Sequence, residues 1–144
     1  MKRADIEREA RKVVGAPWVH QGRDITAGVD CLGVLIFVCQ NLGVDIQDYT
    51  NYSREPDGVQ ILSEMRKYFN EIPLEESREG DILIFRMAGE HLPRHVGIIT
   101  KGTNEYMLVH SIEVRSTGHT VEETLRRWMR FRTNAFQFRG LEDI

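Results

Sequence analysis

Asp30-Cys31-Leu32-Gly33-Val34-Leu35-Ile36-Phe37-Val38-Cys39-Gln40-Asn41-Leu42-Gly43 carries no charge after its first residue and is apolar on nearly every face. Residues 31–42 are too long for an ordinary strand. Asp30 is a good N-cap and Gly43 a good residue to follow a helix end. The run therefore predicts a helix buried all round, the central helix of the domain. The other elements are expected to pack about it.

Upstream, residues 2–14 place Ile6, Ala10, Val13 and Val14 at helical spacing, and Gly15-Ala16-Pro17 ends that helix. Residues 15–29 read as a loop holding Trp18, His20 and Arg23. Downstream, residues 45–56 read as a loop with Tyr49, Tyr52 and Pro56. Residues 57–69 repeat the helical pattern through Val59, Leu62, Met65 and Phe69 behind Asp57. After the turn signal at residues 78–81 come strands at 82–85 and 95–100, a turn at 101–104 and a returning strand at 105–112. Thr120 and Glu123 form a capping box, so a short helix is expected there ahead of Leu125 and Trp128. Residues 135–138 make a last strand. Helices dominate the first half and strands the second, which predicts one α+β domain over residues 1–144.

Composition narrows the function. The 144 residues are 41% hydrophobic and 28% charged, with a formal net charge of -3. A dedicated nucleic-acid binder would be clearly basic. No apolar run approaches the roughly 18–20 residues of a membrane span. The opening residues have no apolar stretch after their basic pair, so no secretory signal is expected. Neither nucleic acid nor membrane is an expected partner, and no cofactor is implied.

The two cysteines, Cys31 and Cys39, lie eight residues apart in the predicted helix. At a rise of about 1.5 Å per residue they are roughly 12 Å apart, too far for a disulfide. Cys31 opens the helix, where free N–H groups and the positive end of the dipole favour a thiolate and can hold an oxyanion. From composition alone, a plain small buried hydrophobe is the favoured reading of Cys31. Cys39 lies mid-helix and reads as structural.

A cysteine nucleophile needs a base. His95 opens one strand and His110 sits on the strand that returns beside it, so pairing brings the two close. A histidine bonded into the core edge is the plainer alternative for each. His20 either touches substrate or braces its loop, and His119 reads as surface in a Thr-Gly-His-Thr turn. His91 and His95 have a zinc-like spacing, but Pro93 between them excludes a helix and there is no Cys-x-x-Cys, so no metal is expected. Residues 126–132, Arg-Arg-Trp-Met-Arg-Phe-Arg, read as a solvated face with core anchors, or else as a contact to an anionic polymer or protein.

Gly28-Val29-Asp30-Cys31-Leu32-Gly33 resembles the Asp-Cys-Ser-Gly nucleophile motif of the NlpC-type papain-like cysteine peptidases, with Leu32 departing from serine. His95-Val96-Gly97-Ile98 resembles their His-Val-Gly-Ile motif, and Leu108-Val109-His110-Ser111 the strand giving the third polar residue. Residues 79–85 are similar to their Pro-Gly-Asp-Leu-Val-Phe-Phe strand. Residues 15–23 and 52–58 look like the branch found on phage tails and phage-like particles. Trp18 stands near the place of a family tyrosine, which leaves an oxyanion hydroxyl there in question.

The resemblance implies a papain-like fold and hydrolysis of stem-peptide bonds in bacterial peptidoglycan, typically beside γ-D-glutamyl or diaminopimelate residues. It implies Cys31, His95 and His110 as catalytic groups and places Trp18, His20 and Asp30 on the substrate side. The branch implies phage or phage-like tail proteins as partners and a particle tail as location. A non-catalytic tail or plug component, and acyl transfer on another substrate, are the competing readings.

Overall fold

The computed structural model describes residues 1–54, 57–114 and 117–144. Three helices, α1 (Arg3–Arg11), α2 (Cys31–Asn41) and α3 (Val59–Tyr68), precede most of the sheet. A two-residue ribbon, β1 (Arg23–Asp24) with β2 (Gly28–Val29), leads into α2. The main strands are β3 (Asn70–Ile72), β4 (Ile82–Phe85), β5 (His95–Lys101), β6 (Tyr106–Val114), β7 (Thr117–Thr124) and β8 (Arg132–Gln137). They form one antiparallel sheet in the order β3-β8-β4-β5-β6-β7. The fold class is α+β, as the division of helical and strand patterns predicts.

The two faces of the sheet carry separate cores. Ile82, Ile84, Val96, Ile98, Val109 and Phe136 point at the helices and pack with Val34, Leu35 and Val38 of α2 and Ile6 and Ala10 of α1. Leu83, Phe85, Ile99, Leu108 and Ala135 occupy the other face. There Leu125, Trp128 and Phe131 of a 3₁₀ helix (Leu125–Phe131) cover them. Strand alternation makes this division inevitable, since successive side chains leave opposite faces. Every residue of β4 is buried, the pattern of a strand covered on both sides.

α2 is as expected: Asp30 caps it by accepting from the Gly33 N–H, and it ends at Asn41 before Gly43. The segment after β6 is not. The expected helix at Thr120 is instead the strand β7, which pairs with β6 from Met107↔Thr124 through Ser111↔Thr120 and beyond. A long ladder of backbone bonds, with β-branched Thr120, Val121 and Thr124 along it, outweighs a local capping signal. The 3₁₀ helix starts only after Thr124, whose hydroxyl accepts from Arg126 N–H at 3.3 Å. His119 is exposed, but on this strand opposite Ile112 and not in a turn. The loop before α2 also contains the β1–β2 ribbon, and β3, a short and mostly exposed edge strand, gave no pattern to read. No helix among the described residues is long and apolar enough to cross a membrane.

Candidate active site

Asp30 organises the entry to α2. Its Oδ1 accepts from Gly33 N–H (2.9 Å) and Arg23 Nη1 (3.0 Å). Its Oδ2 accepts from Gln21 N–H (2.8 Å) and from the Tyr52 hydroxyl. All four lone-pair positions of the carboxylate are used, and the residue is 4% exposed. Asp30 borders the pocket, but its role is to fix the loop around the helix start, which leaves it no oxygen for a substrate. Arg23 is held in turn by both oxygens of Asp48 (2.9 and 3.1 Å) and by the Tyr49 carbonyl (3.0 Å). Gln21 takes a left-handed φ of 59°, stabilised by the bond to Asp30 and by its side-chain amide on the Tyr52 carbonyl. The loop lies so close to α2 that a Cβ on Gly33 would sit 2.4 Å from the Gly22 carbonyl oxygen. Glycine at the third position of α2 is therefore a steric requirement.

Cys31 is half-buried at the first turn of α2 and shares a pocket of about 160 Å³ with His95. His95 Nε2 lies 2.7 Å from His110 Nδ1, and both rings are buried. His110 Nε2 lies 2.8 Å from Glu123 Oε2. The register explains the row. Direct partners in β6 and β7 are His110↔Val121 and Leu108↔Glu123, so Glu123 is the diagonal neighbour of His110 on the same face. Gly97 makes room for the second ring: a Cβ there would meet Leu108 Cδ1 at 2.5 Å and His110 Cβ at 3.3 Å. Trp128 closes the row, stacked on His95 at 5.4 Å and edge-on to His110 at 4.8 Å. Its ring excludes water from the imidazoles and offers a π face to a positive charge on His95.

Electrostatics set the resting state. Burial, then the Asp30 carboxylate, push the Cys31 thiol up to about 12, while hydrogen bonds from the backbone of Val96 and Leu32 act the other way. The expected helix-end thiolate is thus not the resting form, because desolvation and a neighbouring anion outweigh the dipole. Burial, the largest cause, holds His95 well below the ordinary histidine range, and the nearby Arg94 guanidinium acts in the same direction. Thiol and imidazole are both neutral at rest. Glu123 is held below the usual carboxylate range, chiefly by its hydrogen bond with His110. Cys39 is buried in the core and burial alone pushes its thiol up to about 12.

Trp18 and His20 line the same pocket, with Tyr52, Arg54 and Arg94. Arg54 lies over the Trp18 ring at 5.2 Å and reaches Glu113 on β6 at 2.9 Å, which bridges the rim. The structure therefore brings together Cys31, His95, Trp18, His20 and Asp30 around one cavity, with His110 directly behind. Sequence reading missed three members. Tyr52, assigned to a loop, supplies a hydroxyl beside Asp30 where Trp18 has none. In the sequence Trp128 reads only as an aromatic anchor, and Glu123 has the spacing of a capping box with Thr120. Among the described residues no group of three His, Cys, Asp or Glu side chains is arranged to hold a metal ion.

A helix-terminal cysteine facing a strand histidine across a shared pocket has a match at family level. The model of the NlpC/P60 family matches residues 15–133. The chain belongs to the NlpC/P60 family. Solved structures share the fold at low identity. The NlpC/p60 domain of the peptidoglycan hydrolase SagA has a TM-score of 0.68 at 22% identity, covering 96% of this chain and 100% of that one. A Staphylococcus aureus NLP/P60 protein described as similar to a lipoprotein has a TM-score of 0.64 at 21% identity, covering 94% of this chain and 41% of its own. A Bacillus cereus NlpC/P60 protein has a TM-score of 0.68 at 16% identity, covering 96% and 40%. This NlpC/P60 chain thus spans about two fifths of the length of the latter two. No curated protein matches the sequence.

Proposed function

We propose that this NlpC/P60 domain is a cysteine endopeptidase that cuts amide bonds in the stem peptides of bacterial peptidoglycan. The observation that carries it is the shared pocket of Cys31 and His95 with His110 bonded behind the imidazole. His95 takes the thiol proton as Cys31 sulfur attacks the scissile carbonyl carbon. The oxyanion accepts hydrogen bonds from free N–H groups at the start of α2. His95 then gives its proton to the leaving amine, and a thioester remains. Water, deprotonated by His95, attacks the thioester; the acid leaves and the thiol is restored. Trp18 and His20 line the same pocket as candidate substrate contacts, and Asp30 positions the helix start.

Digestion of purified peptidoglycan followed by mass spectrometry tests the reading. The wild-type chain and Cys39→Ala should release the same peptides, and Cys31→Ala none. His95→Ala should remove nearly all activity, His110→Ala less and His20→Ala least. Equal loss in both cysteine variants, or a benign His95→Ala beside a damaging His20→Ala, overturns the assignment.

For delivery, the reading is a phage or phage-like tail carrying the enzyme to the wall during entry. Its support is the likeness of residues 15–23 and 52–58 to that branch, of which Glu55 and Pro56 lie outside the described residues. Exposed Arg126, Arg127 and Arg130 form the candidate docking face. An antibody against the chain should label purified intact particles. Label only on free protein in the lysate would refute tail carriage.

A further inference from the structure

Three strands each give one side chain to a single hydrogen-bonded row, and its last member has no role in the reaction as derived so far. Glu123 on β7 meets His110 with Oε2 at 2.8 Å, while Oε1 lies 3.7 Å from Arg127 Nη1 at the surface. A carboxylate only accepts, so the ring nitrogen facing it, His110 Nε2, carries the hydrogen. In a neutral His110 that leaves Nδ1 bare. The nitrogen facing it, His95 Nε2 at 2.7 Å, must then be the donor. One proton per ring is placed in turn, and the nitrogen left bare at the end of the row is His95 Nδ1, the ring atom not engaged with His110.

We propose that Glu123 is a positioning residue of the active site, which sets the direction of both histidine hydrogens so that His95 presents a bare Nδ1 to the Cys31 thiol. The same carboxylate stabilises the row when His95 becomes positive. As the thiol proton arrives on Nδ1, the new charge is passed towards Glu123 through two existing hydrogen bonds without breaking either. Without the acceptor on β7, His110 is free to turn its proton onto Nδ1. That would make His95 Nε2 the acceptor and put the hydrogen on Nδ1, where it blocks proton uptake from sulfur. Trp128 supports the arrangement by covering both rings and so keeping water from replacing either partner.

This inference rests on the peptidase reading for its importance, but not for its test. Two measurements need no substrate. Nitrogen-15 NMR of the imidazoles at pH 8 should show the Nε2–H form for both His95 and His110 in the wild-type chain. Alkylation of Cys31 by iodoacetamide at neutral pH, followed in a Cys39→Ala background, reads how readily His95 accepts the proton. Glu123→Gln keeps the size and loses the charge. It should slow alkylation roughly 10- to 100-fold, up to the bottom of the roughly 100- to 10,000-fold that a general base contributes, since the base is misdirected and not removed, and shift the His110 ring signals towards a mixed tautomer. Glu123→Asp should recover part of the rate. If peptide substrates are cut, kcat should fall by a similar factor with KM within about twofold. A His110 that already carries its hydrogen on Nδ1 in the wild type overturns the proposal, as does wild-type alkylation by a folded Glu123→Gln. Failure to digest peptidoglycan with these signatures intact counts against the substrate reading alone.

Discussion

Replacing Asp30 by asparagine should make the protein less stable and its nucleophile more reactive at the same time. Asparagine keeps one oxygen. If that oxygen stays on Gly33 N–H and Arg23, the new amide N–H₂ faces Gln21 N–H, a donor that now has no acceptor. Orphaning a buried donor costs about 1–3 kcal/mol. Loss of the charge also weakens the hold on Arg23, by roughly 1 kcal/mol, since Arg23 keeps both oxygens of Asp48. The expected loss is about 2–4 kcal/mol, read as a drop in the urea midpoint at constant m-value. At about 3 °C per kcal/mol for a chain of this size, Tm falls by roughly 6–12 °C. Reactivity goes the other way. The Asp30 carboxylate is the second cause of the raised Cys31 thiol, so removing its charge lowers that value. At pH 8 the thiolate fraction rises about tenfold for each unit the pKa falls. Iodoacetamide should alkylate the Asp30→Asn variant several-fold faster than the wild type. A variant of unchanged stability that alkylates no faster would show that Asp30 neither holds the loop nor opposes the thiolate.

Gly33→Ala should cost about 1–3 kcal/mol or more, since the new methyl lands 2.4 Å from the Gly22 oxygen, and thermal melts should show it even without substrate. Because burial holds His95 well below its unfolded value of about 6.5, the unfolded chain binds more protons below that pH. The stability His95 contributes is complete above pH 6.5 and is lost as pH falls, by up to about 1.4 kcal/mol per unit. Denaturation of wild type and His95→Gln between pH 7 and 5 should therefore converge, and a constant gap refutes the sign. Trp128→Ala should lower both stability and the alkylation rate of Cys31, with Trp128→Phe recovering most of each; a variant that loses stability alone limits Trp128 to packing.

Cys31 and the paired histidines stand out in the sequence because each sits in a strongly patterned element. The uncharged run after Asp30 permits only a buried helix, and His95 opens one of two strands joined by a tight turn while His110 lies mid-way along the other. Glu123 was hidden by a competing local signal. Thr120 and Glu123 have capping-box spacing, and only the partner strand β6 reveals that the segment is extended. Its side chain reaches His110 diagonally across strands, a relation that no spacing along the chain encodes. Tyr52 reaches Asp30 from 22 residues away out of a loop without periodicity. Trp128 lay within a run dominated by arginines, where its apolar face gave no hint of the ring it covers. The thiol's raised pKa was likewise invisible, since helix position is a sequence property and desolvation is not.

The row from His95 to Glu123 runs across strands, so its steps follow the spacing of the ladder, about 4.8 Å per strand, and not the shape of any loop. The pocket walls, by contrast, come largely from loops, through Trp18 and His20, the segment holding Tyr52 and Arg54, and the loop ending at Arg94, with Ser111 and Glu113 of β6 completing them. Most of the wall and the histidine row therefore come from separate parts of the molecule, with β6 shared between them. The loops holding His20, Arg54 and Arg94 can be lengthened or exchanged to reshape the cavity without moving the His95–His110 pair. Conversely, a change on β7, the outermost strand, can alter the base while the cavity keeps its outline. A fold wired in this way can be re-aimed at new substrates one module at a time.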